Sequence, residues 1–588
     1  MLAFGALIDL SLAPLAPDLT TRLRQSLPAI PGRVSVSAQG ECAVAHLADA
    51  RALPFDADLP LIDGDLVVAG TLRIDAQEEL RVALSPDAPR GLDTASDAWL
   101  VALAYRRWSD RLAEHLIGDY AFVVWDRRKR RLVCARDPHG NRQLFWGRSG
   151  SVLAVSSSIE LSRSLPGVSS ALYEPALVSF LSDGCVEEAE RTAYRDLRRV
   201  PAAHTLVFED GLAPVLRRHW NFPVPSPIRY RRDDDYVAHF AEVLHAALRD
   251  RLRADAAAVF LSGGMDSTTL AVAAQRAAPG VRLRGFTMTH PTLAPSDDDT
   301  LSVEVAGRIG LVQEVLDVDH LRSPSQLADM PSQPLDESGL ALERETLKSV
   351  AAYAPIVIFG EDGDALLQAP TLLGQLRSQP FTEVIGSWGR YWWRSGRRPW
   401  VGLEWRDRMR RLRLGGEPDC TPWMRAGVRR APPRASSSEH PLRPRSVRNL
   451  SSPVWDDLYE SIAPATTLAP LLHTLPLVDP RVIAFVFAIP PVPWCQNKHL
   501  FRTAMRDALP AAVLARPKTP LLGYIEARVV QWRSRGGADT PISDRVAPWV
   551  DVESVRRVLQ SGTPYEVVDA WRVLQVDRWL ERWEASRA

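Results

Sequence analysis

Cysteine is sparse and scattered in this chain of 588 residues, and the five present (Cys42, Cys134, Cys185, Cys420 and Cys495) form no CxxC pair. That spacing excludes a zinc ribbon or finger and a disulfide scaffold. An excess of one charge is missing too: Lys+Arg and Asp+Glu stand at 71 each. The molecule as a whole therefore has no basic field with which to attract nucleic acid. Lysine is scarce beside arginine, and the arginines cluster. No apolar run reaches the ~20 residues that a membrane span needs. The first sixteen residues are mostly apolar, but they lack a basic flank and contain Asp9, so neither a signal peptide nor a span is expected. These absences leave a soluble, cytoplasmic enzyme as the expectation. With 46% hydrophobic and 24% charged residues the composition is globular, and the length calls for two or three domains.

The chain changes character once. Its first ~220 residues read as mostly β. Leu66-Val67-Val68-Ala69-Gly70 is a short apolar run closed by turn residues, and a hairpin is expected where 120–126 and 132–135 flank Asp126-Arg127-Arg128-Lys129-Arg130. Between these strands, 97–116 has helical spacing through Leu100, Leu103, Ala104, Trp108, Leu112 and Leu116. Three prolines within Asn221-Phe222-Pro223-Val224-Pro225-Ser226-Pro227 mark a linker. Beyond it, helices over 236–253, 267–278 and 300–310 alternate with strands over 256–261, 283–288 and 356–359. That alternation predicts a parallel sheet with its ligand at the carboxyl ends of the strands. No internal repeat is present.

Ala256-Ala257-Ala258-Val259-Phe260-Leu261 is wholly apolar, as a buried parallel strand is. It runs directly into Ser262-Gly263-Gly264-Met265-Asp266-Ser267 and then a helix. Glycines let the backbone turn tightly and approach a ligand. The helix N-terminus offers amides to phosphate oxygens, Ser262 and Ser267 can add hydroxyl donors, and Asp266 is a hard oxygen ligand suited to Mg²⁺. A ligand-free βα turn is the plain alternative. The motif lacks both the Gly-Lys-Ser/Thr ending of a Walker loop and the GxGxxG pattern, and it resembles the pyrophosphate (PP) loop of the ATP-pyrophosphatases.

A second acidic turn, Gly360-Glu361-Asp362-Gly363-Asp364-Ala365, follows the apolar Ile356-Val357-Ile358-Phe359. Asp266 and Asp364 together would form a two-carboxylate Mg²⁺ site; by itself the turn reads as a solvated acidic loop. Near the C-terminus stand Lys498, Arg502, Arg516 and Lys518. Lysine point charges suit a developing pyrophosphate, although singly such residues are ordinary surface charges.

With these motifs in place, the chain resembles the asparagine synthetase B superfamily over nearly its whole length. Gly118-Asp119-Tyr120-Ala121-Phe122-Val123-Val124-Trp125-Asp126 and Ala135-Arg136-Asp137-Pro138-His139-Gly140-Asn141-Arg142-Gln143-Leu144 look like the family's glutaminase block. The loop, the acidic turn and the lysine block match its synthetase half. The resemblance implies an α/β protein of two domains. Residues 1–222 would form an Ntn-hydrolase-like αββα domain of the class II glutamine amidotransferase type, and 228–588 a PP-loop ATP-pyrophosphatase domain. It places ATP on Leu261, Ser262, Gly263, Gly264, Asp266, Ser267, Met288 and Gly360, and magnesium on Asp266 and Asp364. Lys498 would sit on phosphate, Lys518 would stabilise the adenylate or the collapse of the amide-forming intermediate, and Glu361 would orient or deprotonate the nucleophile.

The departures bear on the amine. The family's glutaminase needs Cys directly after the initiator Met, where its thiolate attacks glutamine; here that position is Leu2. The glutamine-gripping "NGEIYN" segment corresponds to Ala69-Gly70-Thr71-Leu72-Arg73-Ile74, without its Asn and Glu. The usual acidic turn is GEGxDE, so Asp362 and Ala365 also depart. A glutaminase-dead domain means the amine must come from elsewhere, as in two branches of the family, β-lactam synthetases and lasso peptide cyclases. Residues 388–413 hold five Trp (388, 392, 393, 400, 405) and nine Arg. This is the composition of a peptide-binding surface, or of an amphipathic helix with its Trp turned inward.

The leading expectation is a lasso peptide cyclase. It would adenylate a side-chain Asp or Glu of a precursor core peptide and close a macrolactam on the peptide's N-terminal amine. A leader peptidase and a leader-binding protein are the implied partners, with no membrane and no nucleic acid. The alternatives are an ammonia-dependent asparagine synthetase, a β-lactam synthetase-like ligase and, in a different class, an RNA-directed protein that uses the Arg/Trp insert.

Overall fold

The computed structural model describes residues 1–586 except 52, 86–91, 164, 210, 296, 320–330, 336–339, 397–420, 426, 429–439 and 517–523. The N-terminal part is built on two six-stranded antiparallel sheets. The first runs in the order Leu197–Arg199, Phe145–Ser149, Val152–Ser156, Ala3–Asp9, Cys42–Ala48, Arg33–Gln39. The second runs Val215–Arg218, His204–Glu209, Arg131–Arg136, Ile117–Asp126, Leu66–Asp75, Leu61–Asp63.

Period-two alternation, buried on both faces, explains why the sheets stack. Phe4, Ala6 and Ile8 of one sheet meet Ala69, Ala121, Val123 and Trp125 of the other in a shared core. Residues of opposite parity face helices instead. Ala3 and Leu7 pack with Leu23 of helix Pro17–Gln25, and Tyr120, Phe122 and Val124 pack with helices Gln77–Leu84 and Asp97–Trp108. The result is the expected αββα sandwich. The helix expected over 97–116 stops early: Asp97–Trp108 is α-helical, and Ser109–His115 is a 3₁₀ segment. Ser109 takes φ +55°, and the turn lets His115 stack on Trp108 with ring centroids 4.0 Å apart. Residues seven apart on a continuous helix lie ~10 Å apart along the axis and cannot stack.

The third sheet has five parallel strands in the order Val312–Asp317, Arg282–Thr289, Ala256–Phe260, Ile356–Ile358, Leu472–Thr474. Its central strand is rich in alanine, so helices Asp233–Arg251 and Met265–Ala277 approach closely, and Leu244, Ala247, Leu270 and Ala271 share its core. The helices Tyr524–Ser534, Val552–Ser561 and Pro564–Ala585 follow, the last opened by a Thr563/Glu566 capping box. They share a core with Phe145, Phe180, Tyr194 and Leu197 of the N-terminal part. Trp579 meets Tyr194 edge-on at 5.9 Å, and the Trp583 indole N–H donates to the Ser170 carbonyl at 3.0 Å.

A charged seam joins the two halves. Arg136 and Arg199, both fully buried, pair with Asp456 at 3.0 Å and Glu460 at 2.7 Å on helix Val454–Ser461. No described helix is long and apolar enough to cross a membrane.

Candidate active site

The loop leaves the carboxyl end of the central strand and enters helix Met265–Ala277 at Gly264, with no side-chain cap on that N-terminus. A helix N-terminus of this kind presents backbone amides and the positive end of the helix dipole to an anion. The loop is braced from within: the Ser262 amide donates to Ser267 Oγ at 3.1 Å, the two serine hydroxyls share a 2.8 Å hydrogen bond, and the Gly264 amide donates to Ser262 Oγ at 3.1 Å. The Thr287 hydroxyl, on the neighbouring strand, donates to the Leu261 carbonyl at 2.6 Å. In this structure the serine hydroxyls therefore shape the loop.

The acidic turn docks against this loop, and two glycines make that possible. A Cβ at Gly360 would lie 3.0 Å from the Ser267 nitrogen. A Cβ at Gly363 would lie 2.5 Å from the Asp266 carboxyl carbon. Between them Asp362 takes φ +72°, the left-handed region where Gly is the unstrained residue. This explains physically why the resembling family has Gly there.

Three predicted residues, far apart in the chain, converge. Lys498 Nζ lies 2.6 Å from Asp266 Oδ2 and 2.8 Å from Asp364 Oδ1. Lys498 and its predecessor Asn497 both have positive φ (+54° and +47°), and helix His499–Ala504 follows. Desolvation in its recess, then the charges of Asp266 and Asp364, hold the Glu361 carboxyl above its ordinary value, with Lys498 opposing. The outer surface of Glu361 still meets solvent, which tempers the first of these. Asp362 is buried, and that burial, with Glu361 beside it, raises its carboxyl to about 8. Met288 stands at the carboxyl end of the strand next to the loop, 40% exposed. Lys518 lies outside the described residues. Asp266 and Asp364 are hard oxygen donors of the kind a divalent cation takes, and the Lys498 ammonium lies between them in this structure.

The aromatic segment is only partly described. Helix Phe381–Ser395 buries Val384 and Tyr391 and exposes Phe381, Ile385, Trp392 and Trp393, the last at 88%. The Trp388 indole N–H donates to Gln375 Oε1 at 3.1 Å. Tyr391 meets His499, the residue after Lys498, edge-on at 6.3 Å, which places this helix beside the site. Residues 397–413 of the predicted insert lie outside the described residues.

At the amino ends of two strands of the third sheet, Leu2 is 3% exposed and belongs to an apolar cluster that includes Ile356 and Leu472. The segment that resembles a glutamine grip puts Arg73 into an ion lattice instead. Arg73 pairs with Asp75 at 2.8 Å and Asp119 at 2.7 Å, and Arg251 pairs with Asp75 at 3.1 Å and Asp479 at 2.5 Å. A cavity of about 10 Å³ beside Met1, Arg73, Arg142 and His473 has room for about one water.

Sequence reasoning missed helix Val454–Ser461, which buries Asp456, Asp457, Tyr459 and Glu460. Its acidic sequence reads as a solvated face, and only the partner arginines, hundreds of residues away, reveal otherwise.

A family model described as glutamine amidotransferase domain matches residues 41–220, and one described as asparagine synthase matches 239–581. The chain belongs to the asparagine synthase family, and it is an ATP-dependent amide ligase with an N-terminal amidotransferase-type domain. A putative glutamine-hydrolysing asparagine synthetase of Mycobacterium tuberculosis is 25% identical over 82% of this chain and 78% of its own length. Asparagine synthetase 3 of Bacillus subtilis is 28% identical over 33% of this chain and 31% of its own. The amidase chyE of Penicillium rubens is 24% identical over 46% and 42%.

Proposed function

We propose that this ligase closes a macrolactam within a precursor peptide, as a lasso peptide cyclase does. The observation that carries the reading is the fate of the glutamine end: Leu2 stands in the nucleophile position and packs into an interdomain apolar cluster, and Arg73 is bound into an ion lattice. With no thiolate to release ammonia, the amine comes with the substrate. The exposed aromatic stripe of helix Phe381–Ser395 beside the site supports a peptide rather than a small amino acid.

In the first step a side-chain carboxylate oxygen of Asp or Glu attacks the α-phosphorus of ATP, and the bond to pyrophosphate breaks. In the second, the peptide's N-terminal amine attacks the acyl carbon, AMP leaves, and the amine gives up its proton. The N-terminus of helix Met265–Ala277 would hold the phosphates, with the loop before it braced by its own serines. Lys498 carries positive charge to the same point. Glu361, whose carboxyl is raised, is suited to take the amine proton. Asp266 and Asp364 would hold magnesium, whose charge would stabilise the departing pyrophosphate. Lys518 is assigned to the adenylate by its motif alone. Holding the peptide folded with amine and acyl carbon adjacent supplies much of the rate. A leader peptidase and a leader-binding protein would act before this step.

A second reading is an ammonia-dependent asparagine synthetase, favoured by the names of relatives that match 82% of the chain. Incubation with ATP, Mg²⁺ and a leaderless core peptide separates the two. Loss of one water from the peptide, with AMP and pyrophosphate, is the expected result. Asparagine formed from aspartate and ammonia, with the peptide untouched, would replace the cyclase reading.

A further inference from the structure

The N-terminal domain carries Leu2 where the resembling family has its glutaminase cysteine, yet it is tied to the synthetase half at several places, one of which is a short helix that also reaches the site. On Val454–Ser461, Asp456 pairs with Arg136, and Glu460 pairs with Arg199 and accepts from the Gln333 amide at 2.8 Å. The Val186 amide donates to Asp457 at 3.2 Å. Arg136, Arg199 and Val186 all belong to the N-terminal domain. From the same helix Tyr459, 2% exposed, reaches the acidic turn, where its hydroxyl donates to Asp362 Oδ2 at 3.3 Å. The other Asp362 oxygen is buried with no hydrogen-bond partner among the described residues. Tyr459 also lies over His473, 6.2 Å between centroids and 18° between planes, and the Arg142 guanidinium donates to the His473 carbonyl at 3.1 Å.

We infer that Tyr459 is a positioning residue for the acidic turn 360–364, and that the N-terminal domain serves the ligase by fixing the helix that carries it. Asp362 occupies a left-handed backbone position that a side chain tolerates poorly, and the Tyr459 hydroxyl is what anchors that side chain. Gly360 and Gly363, on either side of Asp362, let the turn sit where a Cβ would run into Ser267 and Asp266. A loosened turn therefore displaces Asp364 and Glu361 from the loop, and a misplacement of that order lowers turnover more than binding. The role holds whichever amine the ligase uses.

The test uses the full chain and the variants Tyr459→Phe, Asp362→Ala and the double variant. Hydrogen exchange of 360–366 is followed by mass spectrometry, alongside AMP formation with ATP and core peptide. Tyr459→Phe is expected to lower kcat about tenfold or more, with the KM for ATP within about twofold. Exchange should quicken in 360–366 and not in the central strand. Asp362→Ala, which removes the anchored carboxyl but keeps the strained position, should do the same, and the double variant should be no worse than the worse single one. Arg199→Met should reproduce the local exchange change and Arg199→Lys should restore it; if Arg199→Met yields no soluble protein, Glu460→Gln weakens the same pair. Unchanged exchange and kcat in Tyr459→Phe, additive losses, or faster exchange across the whole sheet would each overturn the role. If the wild type forms no AMP with the peptide, the cyclase reading falls separately, and the exchange data still decide the role of Tyr459.

Discussion

Lys498 meets Asp266 and Asp364 within 2.8 Å, so each of the three depends on the other two. Replacing Asp266 with Asn keeps the shape but removes the charge. Pyrophosphate release is expected to fall about 10²–10³-fold with the thermal transition little changed; a variant that turned over normally would refute the site. A second residue-scale expectation concerns pH. Burial first, then the nearby Arg142, depresses His473 to about 3. Its folded pKa lies below its unfolded value near 6.5, so the unfolded chain takes up the proton first as pH falls. Stability is lost progressively below 6.5, by roughly 1.4 kcal/mol per pH unit from this one group. His473→Phe keeps a ring but cannot titrate. Wild type and variant should therefore diverge in melting temperature between pH 6.5 and 4, with the wild type falling more steeply; parallel curves would show that folding does not shift the titration of His473.

Among the elements, helix Phe381–Ser395 presents its apolar stripe to solvent beside the site. If the substrate is a peptide, Trp392→Ala and Trp393→Ala together should raise the KM for the peptide about tenfold or more, the size of effect aromatic contact residues have, and leave the KM for ATP unchanged. Equal shifts in both constants would point to a structural role for the helix. The loop and its helix were legible from local pattern, because a buried strand, a glycine turn and a helix start are all written in adjacent residues. Helix 97–116 was misjudged for the complementary reason. Its apolar spacing continues past Trp108, but the stacking of Trp108 on His115 belongs to a turned-back backbone. Helix Val454–Ser461 was not legible at all, since the partners of its acids are Arg136 and Arg199.

At the scale of the molecule, ion pairs and shared cores bind both halves. Arg136 and Asp456 are buried together, so Arg136→Met leaves a carboxylate in the interface without its guanidinium, at a cost of about 3–5 kcal/mol. Because the C-terminal helices share a core with Phe145, Phe180 and Tyr194, calorimetry should show one cooperative transition that moves down as a whole in this variant. Two separate transitions, with only one displaced, would mean the halves unfold independently. Sequence alone determined that a buried strand, a glycine turn and a helix start follow one another at 256–267, the αββα-plus-parallel-sheet plan, and that Leu2 stands where the resembling family has Cys, since each rests on residues close together in the chain or on a single position. Only the tertiary structure decided that Lys498 joins two carboxylates, the nearer in space 232 residues away in sequence, that Arg73 lies in an interdomain lattice, and that Tyr459 touches the acidic turn. Those contacts come from how sheets and helices pack, and pairing between distant charges leaves no periodicity for a sequence to display.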